Sequence, residues 1–201
     1  MAQSEIPKQG CIVARTISGN SPEIRYIPEG RSGARQWVDT ELAHGVAADT
    51  GTSTGAPKSG AMVYMNSSQV LECWPGDMAA TGYDVLQYKL VGLLLEDVTE
   101  SATGLNKVAV AIANSDTQFE TSLVSETATT TATVTATLIG LRMSCSVTGS
   151  AFYLDRTSDT PTHAGTEPFI VTDVIDDDGT LYGRVQFMAR QGLFFNTELA
   201  S

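Results

Sequence analysis

The stretch "DVIDDDGTLYGRVQF", residues 173–187, decides the fold. Asp176, Asp177, Asp178 and Gly179 stand between two runs of alternating character. A four-residue connection that closes on glycine is a common way to reverse an antiparallel pair of strands. Gly183, inside the second run, predicts a bulge or a close backbone approach.

Upstream lies "ETATTTATVTATLIGL", residues 126–141. Every odd position from Thr127 to Thr137 is threonine, while the even positions shift from alanine to Val134 and Leu138. Side chains of a strand alternate between two faces, so the run predicts a single strand with a threonine face and an increasingly apolar one. At about 3.3 Å per residue, eleven residues reach roughly 36 Å, about twice an ordinary strand. Such a strand either crosses a whole sheet or reaches toward another subunit. Thr131, Thr133 and Thr135 are therefore placed in or near an intersubunit surface, with a solvent-facing edge as the plain alternative. An ice-binding plane needs the ladder repeated on neighbouring strands, and the sequence holds one copy.

The same texture fills the chain from Ala61 onward. "AMVYMN", "VLECW", "YDVLQYKLVGLLLEDV", "KVAVAIA", "TQFETSLVS", "RMSCSVTG", "SAFYLD" and "EPFIVTDVI" recur at about ten-residue spacing with turn residues between them. This pattern predicts an all-β protein, an antiparallel β-barrel or sandwich, over residues 61–201. Residues 1–60 differ. Pro7, Gly10, Gly19, Pro22, Pro28, Gly30 and Gly33 interrupt them, and only "CIVART" and "EIRYI" read as short strands, with "QWVDTELAH" as a weak helical candidate. This third reads as an extended N-terminal arm with an entry hairpin, ordered by lying on something else.

Composition narrows the function. With 23 acidic against 12 basic residues the net charge is -11, which disfavours a grip on phosphate backbones, so no nucleic-acid partner is expected. The basic residues crowd forward: Lys8, Arg15, Arg25, Arg31 and Arg35 all precede residue 36. A basic segment ahead of an acidic body is suited to dock on an acidic surface of itself or of a partner; an ordinary solvated stretch reads the same way. No charged-then-apolar leader opens the chain, and its apolar runs are too short to span a bilayer, so an unexported product with no membrane partner is expected. Cys11, Cys73 and Cys145 are odd in number and widely spaced, as expected of reduced, buried thiols.

Chemistry-bearing motifs are scarce. His44 and His163 share no metal-ligand spacing, and no nucleophile elbow, phosphate loop or dinucleotide fingerprint occurs. The 176–179 turn has Val174 and Val185 where a calcium loop needs oxygen ligands, so a solvated turn is expected there. No enzyme, metal or cofactor is anticipated.

"PGDMAATGYDVLQYKLVGLLLEDVTESATGLNKVAVAI", residues 75–112, resembles the rhythm of tailed-bacteriophage capsid decoration (cement) proteins. In these a "G-D" turn, a "VGLLLEDV"-like strand and a "VAVAI"-like strand follow in order. "PFIVTDVIDDDGTLYGRVQF" is similar to the terminal hairpin of structural virion proteins. The resemblance covers roughly residues 70–115 and 150–190 and lies in texture. It implies a non-enzymatic homotrimer on the outer surface of an icosahedral virion, bridging major capsid protein subunits after assembly in the host cytoplasm. The arm, with Arg15, Arg25, Arg31, Arg35 and Trp37, is expected to contact the shell or a neighbouring subunit. Deleting residues 1–36 is then expected to abolish shell binding and leave the body folded. Another virion component, such as a tail tube or head fibre, or a carbohydrate-binding β-sandwich using Trp37 and Trp74, are the alternatives.

Overall fold

A computed structural model describes residues 10–28, 45–46, 59–65, 70–73, 89–97, 107–125, 127–148, 151–156 and 167–190. Thirteen strands form among them: β1 (Ile12–Thr16), β2 (Ile24–Pro28), β3 (Gly45–Val46), β4 (Met62–Met65), β5 (Val70–Cys73), β6 (Lys89–Leu94), β7 (Lys107–Ile112), β8 (Thr117–Ser125), β9 (Thr127–Thr131), β10 (Arg142–Thr148), β11 (Ala151–Asp155), β12 (Phe169–Val174) and β13 (Arg184–Ala189). The fold is all-β, as the alternation predicts.

One sheet runs β1-β8-β11-β10-β12-β13, and β13 returns to pair with β8. Strands β8, β11, β10, β12 and β13 therefore close into a five-stranded barrel. Pairing within it is antiparallel except between β8 and β11, where Leu123 and Leu154 are parallel partners. The second sheet runs β2-β7-β6-β4-β5-β3. Its strands explain their own composition: consecutive residues of β4, β6 and β7 are buried, so both faces lie out of water and the sequence reads as near-continuous apolar runs. Met62, Leu90, Leu93 and Ala111 of this sheet belong to the same hydrophobic cluster as the barrel interior.

The N-terminal strands join the two sheets. β1 pairs antiparallel with β8, and β2 pairs antiparallel with β7. β7 leads directly into β8, so the two pairs run side by side around one corner. Asp116 locks that corner: Ser18 donates its backbone N–H to Oδ1 (2.7 Å) and its hydroxyl to Oδ2 (2.6 Å), and the Ile17 N–H donates to the Asp116 carbonyl (2.8 Å). Asn114 caps the turn by accepting from the N–H groups of Asp116 and Thr117. "CIVART" and "EIRYI" thus form where the sequence puts strands, as integral members of the two sheets. Cys11, just ahead of β1, lies in the shared core.

Two expectations are corrected. The threonine run is not one eleven-residue strand. β9 ends at Thr131, and a 3-10 turn occupies Ala136–Leu138. Between them the extended backbone changes partner. Tyr182 N–H donates to the Ala132 carbonyl, Val134 N–H to Thr180, and Gly179 N–H to Val134, at 2.8, 3.1 and 2.9 Å. Ala132 and Val134 stay buried, so the period-2 pattern survives a switch of neighbour.

The hairpin connection is longer than four residues, for β12 stops at Val174 and β13 begins at Arg184. Tyr182 adopts φ 51, a left-handed backbone that is unusual for a bulky residue and interrupts the extended chain just before β13. The tight reversal at residues 177–180 is present, with Thr180 N–H donating to Asp177 and Gly179 at φ 86.

Candidate functional site

The barrel holds a packed interior. Phe119, Phe152, Phe169 and Phe187 come from four of its five strands and are fully buried. Their ring centroids lie 5.2 to 5.8 Å apart, with Phe169 edge-on to both Phe152 and Phe187. Aromatic pairs prefer such tilted and edge-to-face contacts. Side chains fill the lumen as they do in other small barrels, so any interaction with a partner must use the outer surface.

Large apolar side chains exposed on the described residues gather in two places. The first is the N-terminal pair of strands and their corner, with Ile12, Ile17 (61% exposed), Ile24 and Tyr26 (55%). Ile24 sits opposite Ala111 and Tyr26 opposite Ala109. Directly paired residues share a face, and the small alanines leave the two larger side chains standing proud at the sheet's edge. The second is the segment with Ile139 and Leu141, tied through Val171 to β12, and Ile175 just past the end of that strand.

A polar network centres on Arg184. Arg184 grips Asp176 through Nε and a terminal nitrogen, at 2.8 Å for the closest contact, and its backbone N–H adds a third bond at 2.8 Å. Its other terminal nitrogen reaches Glu120 at 3.2 Å. This clamp holds the Asp176 carboxyl below the ordinary carboxylate range, chiefly through the Arg184 hydrogen bonds. Asp116 is lowered too, by its bonds from Ser18. Burial, with the Glu120 charge as a lesser cause, pushes the Cys11 thiol well up.

The sequence-predicted residues fall as follows. Arg15 donates from Nε to Gln118 (2.6 Å) and lies 3.7 Å from Asp173, so its charge meets the acidic wall of its own chain. Arg25 pairs with Glu23 at 2.6 Å. Arg31, Arg35 and Trp37, like His44, Trp74 and His163, lie outside the described residues. Thr131 pairs with Val124. Thr133 is half-buried and its carbonyl and hydroxyl both accept from Arg156, the latter at 2.9 Å. Thr135 shares a 2.7 Å hydrogen bond with Thr137. None of these contacts joins Arg15 to the threonines.

The chain matches no protein-family model, no curated protein and no solved structure. The site rests on this molecule's own geometry. Sequence reasoning covered Ile17, Ile24 and Tyr26 only within the arm around Ile12 to Trp37, and it missed Ile139 and Ile175. An apolar residue in a short strand or turn reads as core until its neighbours are known.

The deletion of residues 1–36 is also corrected. It would strip β1 from β8 and β2 from β7, and it would remove Cys11 from the core. Point substitutions on the exposed face are the sound alternative.

Proposed function

We propose that the protein is a structural, non-enzymatic virion component that decorates the outer surface of an icosahedral phage capsid and bridges major capsid protein subunits. The observation that carries this reading is the contrast between a lumen filled by four phenylalanines and an outer surface with exposed apolar side chains both on the N-terminal strands and beside β10 and β12. A bridging protein needs a rigid body with more than one docking face. The likeness of residues 75–112 to the decoration family, and of residues 168–187 to the terminal hairpin of structural virion proteins, supports the same reading. Self-association, as a homotrimer, and assembly in the host cytoplasm belong to the proposal.

The face of Ile17, Ile24 and Tyr26 is assigned to the shell. It is held by two sheets and by the Asp116 corner, so little ordering is needed on docking. Burying one such side chain is worth about 1.5–3 kcal/mol, and about 1.4 kcal/mol is tenfold in affinity. The test is co-sedimentation of the purified chain with capsids lacking it. Wild type is expected to bind, and Ile24→Ser with Tyr26→Ser to weaken binding by about tenfold or more. Wild type that stays in the supernatant sinks the capsid reading, and an unaffected variant removes this face from it.

A further inference from the structure

The second group of exposed apolar side chains has two halves of opposite charge. One half is Ile139, Leu141 and Arg142, leading into β10. Arg142 is exposed, and among the described residues it makes no ion pair or side-chain hydrogen bond. The other half is the hairpin tip, with Ile175, Asp177 and Asp178 exposed. Asp176 is committed to Arg184, while Asp177 and Asp178 make no ion pair among the described residues.

Both halves are held in place before any partner arrives. Gly140 N–H donates to Val171 (2.9 Å) and Val171 N–H donates to Leu141 (3.0 Å), which ties the first half to β12. The tip is fixed by the Asp176–Arg184 clamp, by Ile175 N–H on the Arg184 carbonyl (3.0 Å), and by the exchange between Gly179, Thr180 and Val134. Arg15 and Arg25, by contrast, have their carboxylates within the chain. Each half therefore combines exposed apolar side chains with charge that makes no ion pair among the described residues.

We infer that the Ile139–Leu141–Arg142 patch of one subunit receives the Ile175–Asp177–Asp178 tip of a second copy. Each half offers an apolar contact and one sign of charge, so the two fit each other and each repels its own kind. Like charges meet when two identical halves are juxtaposed, which sets the register of the contact. Two different patches on one subunit make a head-to-tail contact, which closes into a ring when the rotation allows. The inference deepens the proposed self-association, and its test uses no capsid, so failure of shell binding leaves it standing.

The experiment is light scattering on the full chain across a concentration series at low and high salt. Wild type is expected at a multiple of 21.3 kDa, with its midpoint of dissociation moving to higher protein concentration as salt rises. Arg142→Glu alone, and Asp177→Lys with Asp178→Lys, are each expected at the monomer mass. The three substitutions combined are expected to restore the wild-type mass. Ile139→Ser keeps every charge and is expected to dissociate the assembly as well, which keeps the test open if a charge variant fails to fold by circular dichroism. A monomeric wild type, single reversals that keep the wild-type mass, or a combined variant that stays monomeric would each overturn the inference.

Discussion

Gly183 lies so close beneath Val134 that a Cβ at Gly183 would stand 2.5 Å from one Val134 methyl and 2.8 Å from the other. The contact joins the threonine run to the hairpin that leads into β13, where backbone hydrogen bonds also link Ala132 to Tyr182 and Val134 to Thr180 and Gly179.

Alanine at Gly183 must therefore displace a fully buried, branched side chain that has no free end to swing aside. Gly183→Ala is expected to cost about 1–3 kcal/mol of stability, the usual range for overpacking. Val134→Ala costs stability by itself through the cavity it leaves. In combination the two should cost less than their sum by roughly 1 kcal/mol, because each removes what the other suffers from. Urea unfolding of the four proteins reads the coupling. Strictly additive costs would mean that the segments do not press on one another.

The strand texture was legible because it depends on local chemistry. "TQFETSLVS" is β8 to the residue, and Gly183 was marked as a close approach before any neighbour was known. The closure of the barrel was not legible. It depends on β13 reaching back to β8 and on the parallel pairing of Leu123 with Leu154, and alternation alone carries no partner identity. The threonine run shows the same limit. Its alternation holds from Ala132 to Thr135, yet its partner changes after Thr131 from β8 to the hairpin loop, which a period-2 pattern cannot register. In the N-terminal segment Gly19 and Pro22 fall between β1 and β2 and mark the corner there, while the sheet partners of the two strands lie too far along the chain for local composition to show. The exposed apolar side chains were hidden because exposure of Ile24 or Ile139 follows from position at an edge or a turn.

The Asp176–Arg184 clamp predicts an acid-sensitive contribution to stability. Asp176 is depressed in the folded chain, so its contribution is complete above the unfolded carboxylate value near pH 3.9 and is lost as the pH falls through the lower folded value. Much of the group is open to solvent, which limits the effect to under about 1 kcal/mol. Asp176→Asn is expected to lower the urea midpoint at pH 7 and to leave a smaller difference from wild type at pH 2.5. Taking the difference between the two proteins cancels Asp116 and the other carboxylates. A gap that is constant across this range would assign the clamp a packing role with no charge in it.

Cys11 offers a direct reading of whether the N-terminal strands are part of the fold or an arm laid upon it. The thiol is buried beside β1, and burial raises it away from the thiolate that alkylating reagents attack. Cys145 is equally buried inside the barrel on β10. If β1 is integral, iodoacetamide should reach both thiols only through global unfolding, and peptide mass spectrometry should show their labelling rising together with urea. An arm would peel away first, at a free energy well below that of global unfolding, and Cys11 would label at urea concentrations that leave Cys145 protected. The pairing of β1 with β8, the corner held by Asp116 and the place of Cys11 in the shared core all lead to the first outcome. Early labelling of Cys11 alone would instead restore the detachable arm, and with it the deletion of residues 1–36 as a usable variant.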